Sequence, residues 1–95
     1  MYGTVARLKV KPGQMEAMKK HMSAVSSKSS PGFVSVNVYQ MDANSNELLV
    51  SIAFKNKETY VANANRPETN SEFEKMVQLL SAEPEWHDGE IIYSS

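Results

Sequence analysis

The chain has 95 residues, with 10 basic and 11 acidic side chains for a net charge of −1, and it contains no cysteine. Scattered bases on a near-neutral chain do not make the electrostatic grip that nucleic acid requires, and the lack of thiols excludes disulfides, thiolate nucleophiles and cysteine metal sites. No apolar run nears the ~18 residues of a membrane span, and the opening MYGTVARLKV lacks a signal peptide's apolar block, so a single cytoplasmic domain over residues 1–95 is the default expectation.

The opening TVARLKV alternates, with Thr4, Ala6, Leu8 and Val10 on one face and Val5, Arg7 and Lys9 on the other, and is predicted to be a strand. Lys11-Pro12-Gly13 punctuates the chain. QMEAMKKHMSAVSS then carries Met15, Met18, Met22 and Val25 at helical spacing, followed by a serine-rich loop closed by Pro31-Gly32. GFVSVNVYQM is a strand with Val34, Val36 and Val38 on one face and Phe33, Ser35, Asn37 and Tyr39 on the other. DANSNE is a turn, and ELLVSIAFK returns as the second arm of an antiparallel hairpin, presenting Leu48, Val50, Ile52 and Phe54 together.

Asn56 is placed to cap a short helix, KETYVANAN, which Pro67 breaks. Thr69 with Glu72, or Ser71 with Glu74, offers a capping box for a helix bearing Phe73, Met76, Val77 and Leu80 on one stripe. Pro84 ends that helix, and GEIIYS is predicted as the last strand. Strand, helix, strand, strand, helix in two pieces, strand is the order of a split β-α-β plait, an α+β ferredoxin-like fold with an antiparallel sheet and both helices on one face.

The uncovered face would hold Val5, Arg7, Ser35, Asn37, Tyr39, Leu49, Ser51 and Ala53. This is apolar for a wet surface and polar for a closed core. A homodimer with sheets packed face to face accounts for the mixture; a monomer with a half-solvated sheet is the alternative.

Two places could carry chemistry. In EPEWHDGE, the lone Trp86 neighbours His87, a residue that can act as a base near neutral pH. Alternation along an extended segment sends Trp86 and Asp88 to one side and His87 to the other, so Trp86 reads equally as a core cover and a pocket wall. In TYVANANRP, Tyr60 and Asn63 share a helix face and could hold an enolate or oxyanion, or merely finish the helix. His21 reads as a boundary residue of the first helix, and the Met15, Met18, Met22 stripe reads as core that could also line an adaptable cavity. The histidines lie far apart with no carboxylate cluster at ligand spacing, which points away from a metal site.

VARLKVKPGQMEAM, PGFVSVNVYQ and LLVSIAFKNKETYVANANRPE together resemble the antibiotic biosynthesis monooxygenase family, of dimeric α/β-barrel fold, over nearly the whole chain. The resemblance implies a homodimer with a pocket between sheet and helices in each subunit. It further implies oxidation of phenolic aromatics by dioxygen with no cofactor: no flavin, haem or metal. Tyr60 and Asn63, three residues apart where many relatives carry a polar residue, are then the first expected catalytic positions, with His87 as a possible proton acceptor. Phe54, Met15, Met18, Met22 and Trp86 would form the substrate-binding wall. A haem-degrading branch uses an asparagine in the first strand, and MYGTVARLKV has none. Alternatives are a non-catalytic small-molecule-binding or stress-response module and an oxygen-independent isomerase.

Overall fold

The structure is a computed structural model describing residues 1–95. It has strand β1 (Tyr2–Lys9), helix α1 (Met15–Ala24), a 3-10 turn (Ser26–Ser29), β2 (Phe33–Gln40), β3 (Glu47–Phe54), α2 (Lys57–Ala64), α3 (Pro67–Val77) and β4 (Glu85–Glu90). The strands form one four-stranded sheet in the order β2-β3-β1-β4, antiparallel at every pairing. This is the α+β ferredoxin-like arrangement that the alternation and helix order predict. No helix is long and apolar enough to cross a membrane.

Alternation places Thr4, Ala6 and Leu8 of β1 beside Leu48, Val50 and Ile52 of β3 on the face beneath the helices. Met18 enters from α1, and Leu80, bridged to Val10, closes the far end. Phe54, Leu8, Met18 and Val10 are the largest fully buried side chains. Each contributes roughly 1.5–3 kcal/mol by leaving water, which makes this small core the main source of stability. Asn56 caps α2 as expected: its side chain accepts from the Thr59 amide and Thr59 returns the bond. Gly32, at φ 82°, turns the chain into β2 directly against Thr59, where a Cβ would collide.

Three sequence expectations are corrected. Pro67 starts α3 as its first helical residue, with Arg66 as N-cap and no side-chain cap, so the Thr69 and Ser71 capping boxes lie inside the helix. A bulge between Phe33 and Ser35 shifts the parity of β2, and Phe33 pairs with Phe54 on the helix-covered face. The last strand is Glu85–Glu90, not the apolar run that follows; Ile92 is 94% exposed and Tyr93 77%. Pairing to β1, with Trp86 opposite Ala6 and Asp88 opposite Thr4, outweighs the β-propensity of Ile91 and Ile92.

Candidate functional site

A cavity of about 410 Å³ lies between the sheet and the helices, in the size range of small-molecule sites. Its walls are apolar: Val36 and Val50 from the sheet, Phe54 at its floor, and Met76, Phe73 and Trp86 to one side. Phe54 stands edge-on to Phe33 at 5.7 Å and to Tyr60 at 5.8 Å between ring centroids. Trp86 leans on Phe73 at 6.1 Å. Such aromatic pairs fix the wall geometry and contribute beyond their buried area.

Of the residues expected in a site, Tyr60, Asn63, Met22, Phe54 and Trp86 line this cavity. Met15 and Met18 do not; they lie along a separate, smaller crevice between α1 and β2, and Met18 is fully buried in the core. His87 is opposite Val5 on the uncovered face of the sheet, away from the cavity, because residues along β4 alternate sides. The histidine that does reach the cavity is His21, which helical spacing placed at a boundary.

Tyr60 is held by partners from three elements. Its hydroxyl donates to Asp88 Oδ1 on β4 at 2.9 Å, and its ring meets Tyr2 of β1 edge-on at 5.3 Å. Burial, then the hydrogen bond and the negative charge of Asp88, push the Tyr60 pKa up from 10.0 to about 12. The Thr4 hydroxyl, directed at the Tyr60 oxygen, opposes this, although the pair falls outside good hydrogen-bond geometry and that buried hydroxyl has no other protein partner. Sequence reading assigned Thr4 to the core face and missed this orphan hydroxyl. Only the β1–β4 register brings Thr4 opposite Asp88.

A raised tyrosine pKa means that the folded state favours the neutral phenol. Its contribution to stability is full below pH 10.0 and is lost as pH rises through about 12. Ultraviolet titration of the wild type minus Tyr60→Phe should therefore isolate one tyrosine ionising near pH 12. In Asp88→Asn that midpoint should fall only part of the way to 10.0, because burial is the larger cause. An unchanged midpoint in Asp88→Asn would show that the Tyr60–Asp88 bond does not form.

Asn63 sits in a different network. Its Oδ1 accepts from Ser30 Oγ at 2.6 Å, Arg66 Nη1 at 3.1 Å and Thr69 Oγ1 at 3.4 Å, while its Nδ2 donates to Ser27 Oγ at 3.3 Å. Arg66 Nη2 reaches Ser26 Oγ at 3.0 Å, and the Ser26 amide donates to Glu72 Oε2 at 2.9 Å. These bonds tie the 3-10 turn to the junction of α2 and α3. They leave one of the two Asn63 amide hydrogens uncommitted. Arg66 and the serines of the loop before β2 are the frame of that amide. No three His, Asp or Glu side chains converge at metal-ligand spacing. The polar groups lining the apolar walls are hydroxyls, the Asn63 and Asn70 amides, His21, Lys28 and Glu72.

The family model for antibiotic biosynthesis monooxygenases matches residues 1–78. The chain belongs to the antibiotic biosynthesis monooxygenase family. Its fold is shared with a candidate antibiotic biosynthesis monooxygenase from Nitrosomonas europaea, at a TM-score of 0.85 and 17% identity over 98% of this chain and 100% of that one. A similar candidate from Caulobacter crescentus superposes at a TM-score of 0.86 with 15% identity, over 97% of this chain and 90% of that one. Rv0793 from Mycobacterium tuberculosis gives 0.85 at 14% identity, over 99% and 97%. At these identities the likeness is one of fold. No curated protein sequence matches the chain.

Proposed function

We propose that this family member is a homodimeric, cofactor-independent monooxygenase acting on a small aromatic or quinol-type substrate held in the cavity. The observation that carries the reading is the apolar, aromatic-walled cavity with the pinned Asn63 amide at its edge. An activated CH₂ next to a phenol or ketone would lose a proton, and the carbanion would reduce dioxygen. One oxygen atom would enter the product as a carbonyl and the other would leave as water with the two hydrogens. The ionised substrate oxygen is assigned to the spare N–H of Asn63, not to Tyr60, whose proton is committed to Asp88. Apolar Val5 and Tyr39 exposed on the other sheet face support pairing with a second copy.

Asn63→Asp separates the chemistry from the scaffold. It keeps an acceptor for Ser30 and Arg66 and removes the amide donor. With chelator-treated protein and anthrone-like phenols or quinols, oxygen uptake matched by oxidised product is expected, falling about 10²–10³-fold in Asn63→Asp at unchanged melting temperature. Oxidation that survives in Asn63→Asp would remove the assigned role.

One observation favours a second reading, a binding module without turnover. Tyr60 keeps its proton across the neutral range and His87 faces away, so of the expected catalytic residues neither supplies a base, which leaves that role to His21 or Glu72 on the cavity wall or to no residue at all. A folded protein that binds the panel but consumes no oxygen would favour this reading. Conversion without oxygen would indicate an isomerase.

A further inference from the structure

Glu72 lies inside α3, where its spacing from Thr69 caps nothing, and it lines the apolar cavity half-buried. Its charge is not paired. The ion pairs of the chain are Arg7–Glu47, Lys19–Glu16 and Arg66–Glu68. A carboxylate placed against an apolar wall without a cation is unfavourable unless neutral donors orient it.

Ser26 supplies those donors. Its amide donates to Glu72 Oε2 at 2.9 Å and its hydroxyl to Glu72 Oε1 at 3.3 Å. Arg66 Nη2 donates to the same hydroxyl oxygen at 3.0 Å, which leaves the Ser26 hydrogen for the carboxylate. These bonds occupy two of the roughly four acceptor positions of a carboxylate, so lone pairs remain for a further proton. The other guanidinium nitrogen of Arg66 holds Asn63 Oδ1 at 3.1 Å. One side chain thus fixes both the amide donor and the carboxylate acceptor at the cavity wall. No such tie links His21, the other basic group there, to Asn63.

We propose that Glu72 is the general base of the reaction, taking the proton from the activated CH₂ of a substrate whose oxygen is held by Asn63. The assignment rests on the monooxygenase reading of this cavity and adds the group that reading lacks. Glu72 takes one CH₂ hydrogen as a proton, and the C–H electron pair passes towards the substrate oxygen at Asn63. The carbanion then reduces dioxygen, a carbon–oxygen bond forms, and the proton on Glu72 goes to the outer peroxide oxygen. Glu72 next takes the remaining hydrogen of that carbon. Its electron pair closes the carbonyl, the O–O bond breaks, and the departing hydroxide collects the proton from Glu72 to leave as water. The carboxylate ends as it began.

Hydrogen–deuterium exchange at the CH₂ of anthrone, followed by proton NMR in oxygen-free deuterium oxide, isolates the first step from the oxygen chemistry. The wild type should exchange it well above the rate in buffer. Glu72→Gln keeps an oxygen for the Ser26 amide, so it should melt and bind anthrone like the wild type while exchange falls about 10²–10⁴-fold. Formate should restore exchange in Glu72→Ala, an effect that a merely structural role for Glu72 would not produce. Exchange that survives in Glu72→Gln, or is lost in His21→Gln and kept in Glu72→Gln, would overturn the assignment. So would a Glu72→Gln protein that melts lower together with a Glu72→Ala protein that formate does not restore, since Glu72 would then only clamp the turn. Wild type that consumes oxygen with anthrone yet does not accelerate exchange would overturn the base and leave the monooxygenase reading standing. If folded wild type neither binds anthrone nor consumes oxygen with it, that reading fails, and the base with it.

Discussion

Phe54→Ala is expected to remove about 3–5 kcal/mol of stability, out of a total that for a domain of this kind is about 5–15 kcal/mol. Phe54 is 1% exposed, so the deletion opens space in the core that its neighbours cannot fully refill. It also removes both edge-on aromatic contacts, to Phe33 and to Tyr60, that join β2, β3 and α2. Phe54 forms the cavity floor, so the loss should be accompanied by looser ligand binding. Urea unfolding should show a lower midpoint at an unchanged slope. A loss below ~1 kcal/mol would mean that the wall relaxes without the ring, contrary to the close packing that cores normally show.

Arg66 should matter second most, and for a polar reason. Its guanidinium donates to Ser30, Asn63, Ser26 and Glu68 at once. The Glu68 partner is exposed, and that pair adds little. The bonds to the half-buried serines and amide are those that hold the 3-10 turn. Arg66→Met keeps the apolar stem and loses the fork; about 2 kcal/mol is expected, in the range of hydrogen bonds to a charged donor. Hydrogen exchange should quicken at the Ser26 and Ser30 amides, which donate to Glu72 Oε2 and to the Ser27 carbonyl respectively. Arg66→Lys should not rescue them, because one ammonium cannot span four acceptors on two sides. If Arg66→Lys matches the wild type in both stability and exchange, the fork is dispensable.

The sheet was legible in the sequence where side chains alternate strongly. Thr4, Ala6 and Leu8 in β1, Val10 just beyond it, and Leu48, Val50, Ile52 and Phe54 in β3 fall on the face that alternation assigns. It was illegible where pairing overrules composition. EWHDGE is a polar segment that becomes β4 because β1 offers it a free edge, while the apolar Ile91, Ile92 and Tyr93 lie outside the strand. Phe33 was assigned to the wrong face because one extra residue at the bulge reverses parity, and no local signal marks it.

The site divides in the same way. Tyr60 and Asn63 are three apart on one helix, and helical spacing alone suffices to put them together. Their partners could not be read off. Asp88 is 28 residues from Tyr60, and Ser30 is 33 from Asn63, so both contacts exist only once the sheet order and the α2–α3 junction are fixed. Thr4 carries no signal at all in the sequence, since a threonine on the buried parity of a strand is ordinary until its hydroxyl is found without a partner.

The strand order also sets a sequence of events in time. Only β2 and β3 are joined by a short connection; β1, at the centre, must find β3 some forty residues on and β4 still later in the chain. Closing those long loops is the slow part of such a search. The hairpin is thus the natural nucleus, the central strand docks onto it, and β4 is the last to arrive and the first to let go. Phe54 lies in that hairpin, so its removal should register mainly as slower refolding, with the unfolding rate less affected.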